Sequence, residues 1–250
     1  LKLKIIIKKT KQEGEINMEK LISIRLALLT AILLPIASLS AADTLDVGMD
    51  ANGQTLGWES RIMADTTATG EQAHHVYRLA SGMTWYQAVP LRLHKSCEIM
   101  GASYDANSYP ATIQQIPGAD GNSQFDNWPA SNVLTYGTGQ TYKLHNLLFN
   151  GAMADGSGST FGVLATYGED NTIVVDHITS VHSQVITYFN FGQREDWTIT
   201  NCTAVQYTCY PAGMYFGGFF WGGGSWGGTL TALYVANNTI EGAHANPVVI

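Results

Sequence analysis

One short phrase recurs in the second half of the chain and restricts what the chain can fold into. It reads Thr172-Ile-Val-Val-Asp-His-Ile-Thr179, then Thr198-Ile-Thr-Asn-Cys-Thr-Ala204, then Tyr234-Val-Ala-Asn-Asn-Thr-Ile240. A fainter copy lies upstream at Tyr142-Lys-Leu-His-Asn-Leu-Leu-Phe149. Each copy is a strand-length run of alternating pattern, closed by a polar step and then a threonine or apolar residue. Aligned on that step, His145, Asp176, Asn201 and Asn237 correspond, at intervals of 31, 25 and 36 residues. A unit of this length is too small to bury its own apolar face, so copies must stack on one another as a solenoid. Strand-length repeats without helical periodicity specify an all-β chain, a parallel β-helix in which each coil lies on the last.

Period-two alternation sends Ile173 and Val175, Trp197 and Ile199, and Leu233 and Val235 to the inner side of successive coils. The polar residue that follows tolerates a turn conformation such as the left-handed one and bonds its own backbone, so the strand bends there. Stacked coils then set Asn201 near Asn237, where amides form a ladder. His145, Asp176, Asn201 and Asn237 are therefore expected as turn formers before they are considered as catalysts.

The first plausible initiator is Met18, so residues 1–17 read as sequence upstream of the start. Met18-Glu-Lys20 and Arg25 give a charged opening, Leu26–Leu34 an apolar core, and Ser40-Ala41-Ala42 small residues for cleavage. Residues 18–42 are thus expected to be a secretory signal peptide cut before Asp43. The apolar core is too short to span a bilayer.

The leader also distorts the charge. Seven of the 13 basic and three of the 20 acidic side chains precede Asp43, leaving 6 against 17 and a net charge near −11. Such a surface repels phosphate backbones and anionic lipid, which argues against nucleic acid and membrane partners. Three cysteines, Cys97, Cys202 and Cys209, are an odd count and no disulfide framework. A Cys202–Cys209 bridge is possible, but a small buried side chain beside Asn201 is the plainer account. No CxxC or Cys/His spacing for a metal appears.

Residues 43–74 are polar and glycine-punctuated, and suit a lead-in or cap over an exposed strand edge. Strand signals begin at Val76–Leu79 and continue at Thr84–Tyr86, Leu91–Leu93, Glu98–Gly101, Ala111–Gln114 and Val133–Tyr136. No helix of credible length follows the leader, and no linker divides the chain, so 75–250 is expected as one β-helix domain. It stops at Ile250 inside what reads as a coil, so further coils are expected beyond it.

The order Val76–Leu79, Thr84–Tyr86, Leu91–Gly101 and Pro110–Ile113, with coils ending Asn-Cys-Thr and Asn-Asn-Thr, resembles bacterial secreted right-handed β-helix proteins of the pectin-lyase-like superfamily. The resemblance covers roughly residues 75–250 and implies a right-handed helix and an extracellular or cell-surface location. It does not select an activity, because the superfamily holds lyases, glycoside hydrolases, esterases, adhesins and phage tailspikes. Its lyases use a Lys or Arg base with acidic calcium ligands on the outside of one sheet, so Ca2+ is implied only if the chain is such a lyase. Among Arg61, Arg78, Arg92, Lys95, Lys143 and Arg194, none shares a coil with a convincing acidic pair. Arg194-Glu195-Asp196 reads as a solvated charge cluster. Hydrolases of the superfamily need grouped aspartates, whereas Asp155, Asp170, Asp176 and Asp196 are scattered. His177 and His182 near Asp176 can in principle make a base pair or metal site.

The most unusual stretch runs from Gly213 to Gly228, where Tyr215, Phe216, Phe219, Phe220, Trp221 and Trp226 sit among glycines. Exposed rings there would stack on sugars, and the glycines would let backbone approach a ligand. The plainer alternative is that the rings fold back over a solenoid face. Tyr215, Phe219, Phe220, Trp221 and Trp226 are accordingly the candidate carbohydrate-binding residues. Two function classes stay open: a non-catalytic secreted or surface protein that grips extracellular polysaccharide, and a polysaccharide lyase or glycoside hydrolase.

Overall fold

The computed structural model describes residues 43–102, 110–117, 131–154, 162–183, 186–205, 218–222, 227–241 and 248–249. In chain order they form β1 (Thr44–Asp46), helix α1 (Trp58–Ala64), β2 (Val76–Leu79), β3 (Thr84–Gln87), β4 (Leu91–Leu93), β5 (Cys97–Gly101) and β6 (Ala111–Gln115). There follow β7 (Ser131–Thr135), β8 (Thr141–Met153), β9 (Gly162–Thr166), β10 (Thr172–Val181), β11 (Ile186–Asn190) and β12 (Glu195–Thr200). The last are β13 (Thr203–Val205), β14 (Gly218–Trp221), β15 (Leu230–Ala236), β16 (Thr239–Glu241) and β17 (Val248–Val249). Asp43–Ile250 is one compact unit.

Hydrogen bonds join these strands along three paths, every named pair parallel. The first path runs β1-β2-β5-β8-β10-β12-β15. The second runs β3-β6-β8-β10-β13-β16 and uses the C-terminal halves of β8 and β10. The third runs β4-β7-β9-β11-β14-β17. Parallel neighbours need a long connection between them. Here that connection is made of the strands of the other two paths, so six strand trios each pair with the next. The architecture is mostly β, with parallel sheets and the one helix α1 among the described residues.

Two inward columns carry the register of the first path. Tyr142 pairs with Ile173, Ile173 with Trp197 and Trp197 with Leu233. Ile99, Leu144, Val175, Ile199 and Val235 make the second column. Ile173, Val175 and Ile199 are fully buried, each stabilising by roughly 1.5–3 kcal/mol on the transfer scale. Leu233 is only partly buried and Val235 is 37% exposed, which departs from the expectation for these two. They lie on the last described strand of the path, beyond which no further trio is described.

The lead-in does more than its composition suggests. β1 pairs with the edge strand β2, and α1 buries Trp58 and Ile62 completely against the first trio. This helix is absent from the sequence reading. It has seven residues and starts after Gly57 at φ 77°, with no capping side chain, so neither length nor a cap announces it.

Candidate functional site

The corner between the first and second paths is made by residues at positive φ: Asn146 (53°), His177 (51°), Asn201 (55°) and Asn237 (57°). Strand register makes them equivalent, because His145 pairs with Asp176, Asp176 with Thr200 and Thr200 with Ala236. The turn ladder is therefore Asn146, His177, Asn201 and Asn237. Two of the four expected positions, His145 and Asp176, lie one residue too early. Asn, Asp and His all tolerate the left-handed region, and in these two coils suitable residues stand side by side, so the sequence alone does not choose between them.

The displaced pair has a different role. His145 and Asp176 lie on the outer face just before the corner within β8 and β10, and with Glu98 and Lys143 they form a charged strip across neighbouring strands. Lys143 Nζ lies 3.7 Å from Glu98 Oε2, and His145 Nε2 lies 4.0 Å from Glu98 Oε1. On its other side, His145 Nδ1 is 3.9 Å from Asp176 Oδ2. Partial burial dominates His145 and holds its pKa below the usual imidazole value, against the raising pull of Glu98 and Asp176. Asp176 is more tightly held. Burial pushes its pKa up, but hydrogen bonds from Thr200 Oγ1 (2.6 Å) and Asn201 Nδ2 (2.8 Å) and a 2.7 Å contact with His177 Nδ1 outweigh it, and the net shift is downward. A lysine beside an acid thus does occur, contributed by adjacent strands instead of one coil.

Beside this strip the corner is concave. A groove of about 290 Å3 is lined by Asn146, His177 and Asn201 from the ladder and by Leu148, Thr179 and Pro110. Its lining offers amide, imidazole and hydroxyl groups beside aliphatic ones. Leu148 and Thr179 escaped the sequence reading. The signal was present, since each lies two residues after a ladder residue, and one inward residue separates the pair.

The aromatic stretch divides. Phe219 and Phe220 belong to β14 and are fully buried. Phe219 packs edge-on against Tyr188 and Phe220 against Trp197, both at 5.1 Å. They are core residues, so the expectation of exposed platforms fails for this pair. Successive side chains of a strand face opposite sides, and in β14 Phe220 takes the inner one with Tyr188 as its register partner. Trp221 points the other way and is partly buried beside Phe189, 6.3 Å between centroids. Tyr215, Phe216 and Trp226 lie outside the described residues. An aromatic row that the sequence reading missed crosses the corner after the third path. His94, Tyr136, Tyr167 and Phe191 stack at 5.1, 5.3 and 5.2 Å. These rings occupy one another's faces, which makes the row a fastening between repeats.

Arg194 is exposed and binds Asp170 through two 2.8 Å bonds, with Glu169 at 2.9 Å. Its neighbour Glu195 is not solvated: it is fully buried, accepting from Thr166 Oγ1 (2.5 Å), Asn171 Nδ2 (2.9 Å) and Trp197 Nε1 (3.2 Å). Burial raises its pKa, more than these donors lower it. The charged triplet is thus split by strand alternation, since Glu195 and Trp197 share the inner side. His182 contacts Asn150 at 3.0 Å while His177 contacts Asp176. Among the described residues, no group of three or more His, Cys, Asp or Glu is placed to hold a metal ion. Cys97 and Cys202 are buried free thiols, and burial pushes that of Cys202 up to about 11. Cys209 lies outside the described residues.

No family model, curated protein or solved structure matches this chain.

Proposed function

We propose that this protein is a secreted or cell-surface right-handed β-helix of pectin-lyase-like type that binds extracellular polysaccharide on its outer wall without turning it over. The observation that carries this reading is the corner groove. Asn146, His177, Asn201 and Thr179 line it with groups that exchange hydrogen bonds with hydroxyls, and Leu148 and Pro110 add apolar groups suited to the C–H face of a sugar ring. The net charge near −11 outside the leader favours neutral glycans over uronates, unless a cation bridges them.

The test is a glycan array of neutral and acidic members, branched and linear, followed by titration calorimetry on each hit. Neutral glycans should bind, and His177→Gly, which removes the imidazole but tolerates the left-handed backbone, should weaken them with the melting temperature held within a few degrees. An array without hits, in the presence and absence of calcium, refutes the reading.

The outer strip supports a second reading, that of a lyase or hydrolase. Lys143 beside Glu98, with His145 and Asp176 in line, is the grouping that acid–base cleavage of a glycan would use. Incubation with polysaccharides would then release reducing ends or unsaturated products, with calcium required in the lyase case. Glu98→Gln would abolish that release.

A further inference from the structure

The repeated phrase builds more than a turn. In four successive repeats the ladder residue is followed two positions later by a second outward residue. The pairs are Asn146 with Leu148, His177 with Thr179, Asn201 with Thr203, and Asn237 with Thr239. The intervening Leu147, Ile178 and Cys202 point inward and are buried. In the fourth pair Asn238 is tied to the neighbouring backbone, accepting from Cys202 N at 2.7 Å and donating to Ile199 O at 2.9 Å. The second members are in strict register, Leu148 with Thr179, Thr179 with Thr203, and Thr203 with Thr239. Thr112 and Thr84 prolong the row at the other end.

Two parallel rows therefore run along the stacking direction, one of ladder side chains and one mostly of threonine hydroxyls. Adjacent strands repeat about every 4.7–4.9 Å, so the same polar pair recurs at that interval. The groove described above lies on these rows, at Asn146, His177, Leu148 and Thr179.

We propose that these rows are a track for a neutral, linear polysaccharide lying along the solenoid axis, with one sugar residue per repeat. This rests on the carbohydrate-binding reading and specifies its ligand. A β-1,4-linked glycan is extended, its residue length is comparable to the strand spacing, and it presents hydroxyls along its edges and C–H faces above and below. The hydroxyls meet the amide and threonine rows, while Leu148 and Pro110 take a C–H face. A branched or compact glycan cannot keep register with both rows. The acid strip beside the track, Glu98 and Asp176, disfavours a uronate there.

The experiment titrates β-1,4-linked gluco- and manno-oligosaccharides of one to six residues into the full chain. Affinity should rise with each added residue and level off at about four, the number of paired positions. Thr179→Val and Thr203→Val keep a β-branched strand residue and remove one hydroxyl each. Each should weaken the hexamer by about two- to ten-fold, the net worth of one neutral hydrogen bond, while Thr172→Val, off the track, should change nothing. Equal affinity from the disaccharide upward overturns the track, as does full binding by both valine variants. Binding of other glycans in the array but of neither β-1,4 series overturns it too, leaving the broader reading intact. Failure of every glycan to bind removes both.

Discussion

His177→Val tests the corrected ladder most directly. The residue sits at φ 51° with its side chain 56% exposed, so neither core packing nor strong electrostatics obscures a backbone effect. Holding an ordinary L-residue in the left-handed region costs about 1–2 kcal/mol, and for a β-branched residue the conformation is a true outlier. Loss of the exposed contact with Asp176 adds less than about 1 kcal/mol. For a unit of this size, 1 kcal/mol shifts the midpoint by about 2–4 °C. His177→Val should then melt roughly 2–12 °C lower in a circular-dichroism scan. His177→Asn and His177→Gly, which tolerate the conformation, should lose no more than the contact, up to about 4 °C. Placing valine at the neighbouring extended position, as Asp176→Val, distinguishes backbone strain from lost hydrogen bonds: its partners Thr200 and Asn201 remain, and Asp176→Asn should recover most of its loss. If His177→Val melts with the parent, or His177→Asn falls as far as His177→Val, left-handed strain is not what fixes this corner.

Core and charge give further tests. Ile199→Val should cost about 0.5–1.5 kcal/mol and Ile199→Asp several, by burying an unpaired charge, whereas Val235→Asp, at a position already 37% exposed, should cost less; denaturant melts rank the three. Glu195 and Asp176 titrate in opposite senses. The Glu195 carboxyl has a raised folded pKa, so its favourable contribution is full below the unfolded value near 4.5 and is lost as pH rises through the folded one. The Asp176 carboxyl has a lowered pKa, so its contribution is present above the unfolded value near 3.8 and disappears as pH falls through the folded one. Melting temperatures across pH 3–7 should therefore lose their low-pH fall in part in Asp176→Asn, and their decline towards neutrality in part in Glu195→Gln; unchanged profiles refute the assignments. Phe220→Ala should cost about 3–5 kcal/mol as a core truncation, against a smaller loss for Trp221→Ala, and an equal effect of the two contradicts the inward–outward split of β14.

The strands of the first two paths were legible because each carries one apolar face and one polar face. Thr84–Gln87 and Cys97–Gly101 alternate clearly, and the expected bounds agree to within a residue. The third path was harder to see. Its strands β7 and β9 are buried on both faces, with Leu134, Ala165 and Phe189 forming a second small core outside the main one. A strand covered on both sides has no alternation to detect. The same property hid β14, whose Phe219 and Phe220 read as loop aromatics because Gly217-Gly218 precedes them and Gly222 follows.

What the sequence could not choose was the exact step of the turn. Asp176 and His177 are both polar and both tolerant of the left-handed region, yet one residue of slip exchanges a groove-lining side chain for one on the charged strip. Only the pairing of His145 with Asp176, and of Asp176 with Thr200, separates them. That single step decides the proposed site: with Asp176 in its strand, its carboxylate faces the strip and holds Asn201 at 2.8 Å and His177 at 2.7 Å, and His177 lines the groove. The parallel register then repeats the choice in each neighbouring repeat, because a slip in one strand would misplace every inward residue stacked upon it. The cost of burying Ile173, Val175 and Ile199 wrongly thus fixes where polar groups gather on the outer corner, and the core sets the spacing that a bound polymer would have to match.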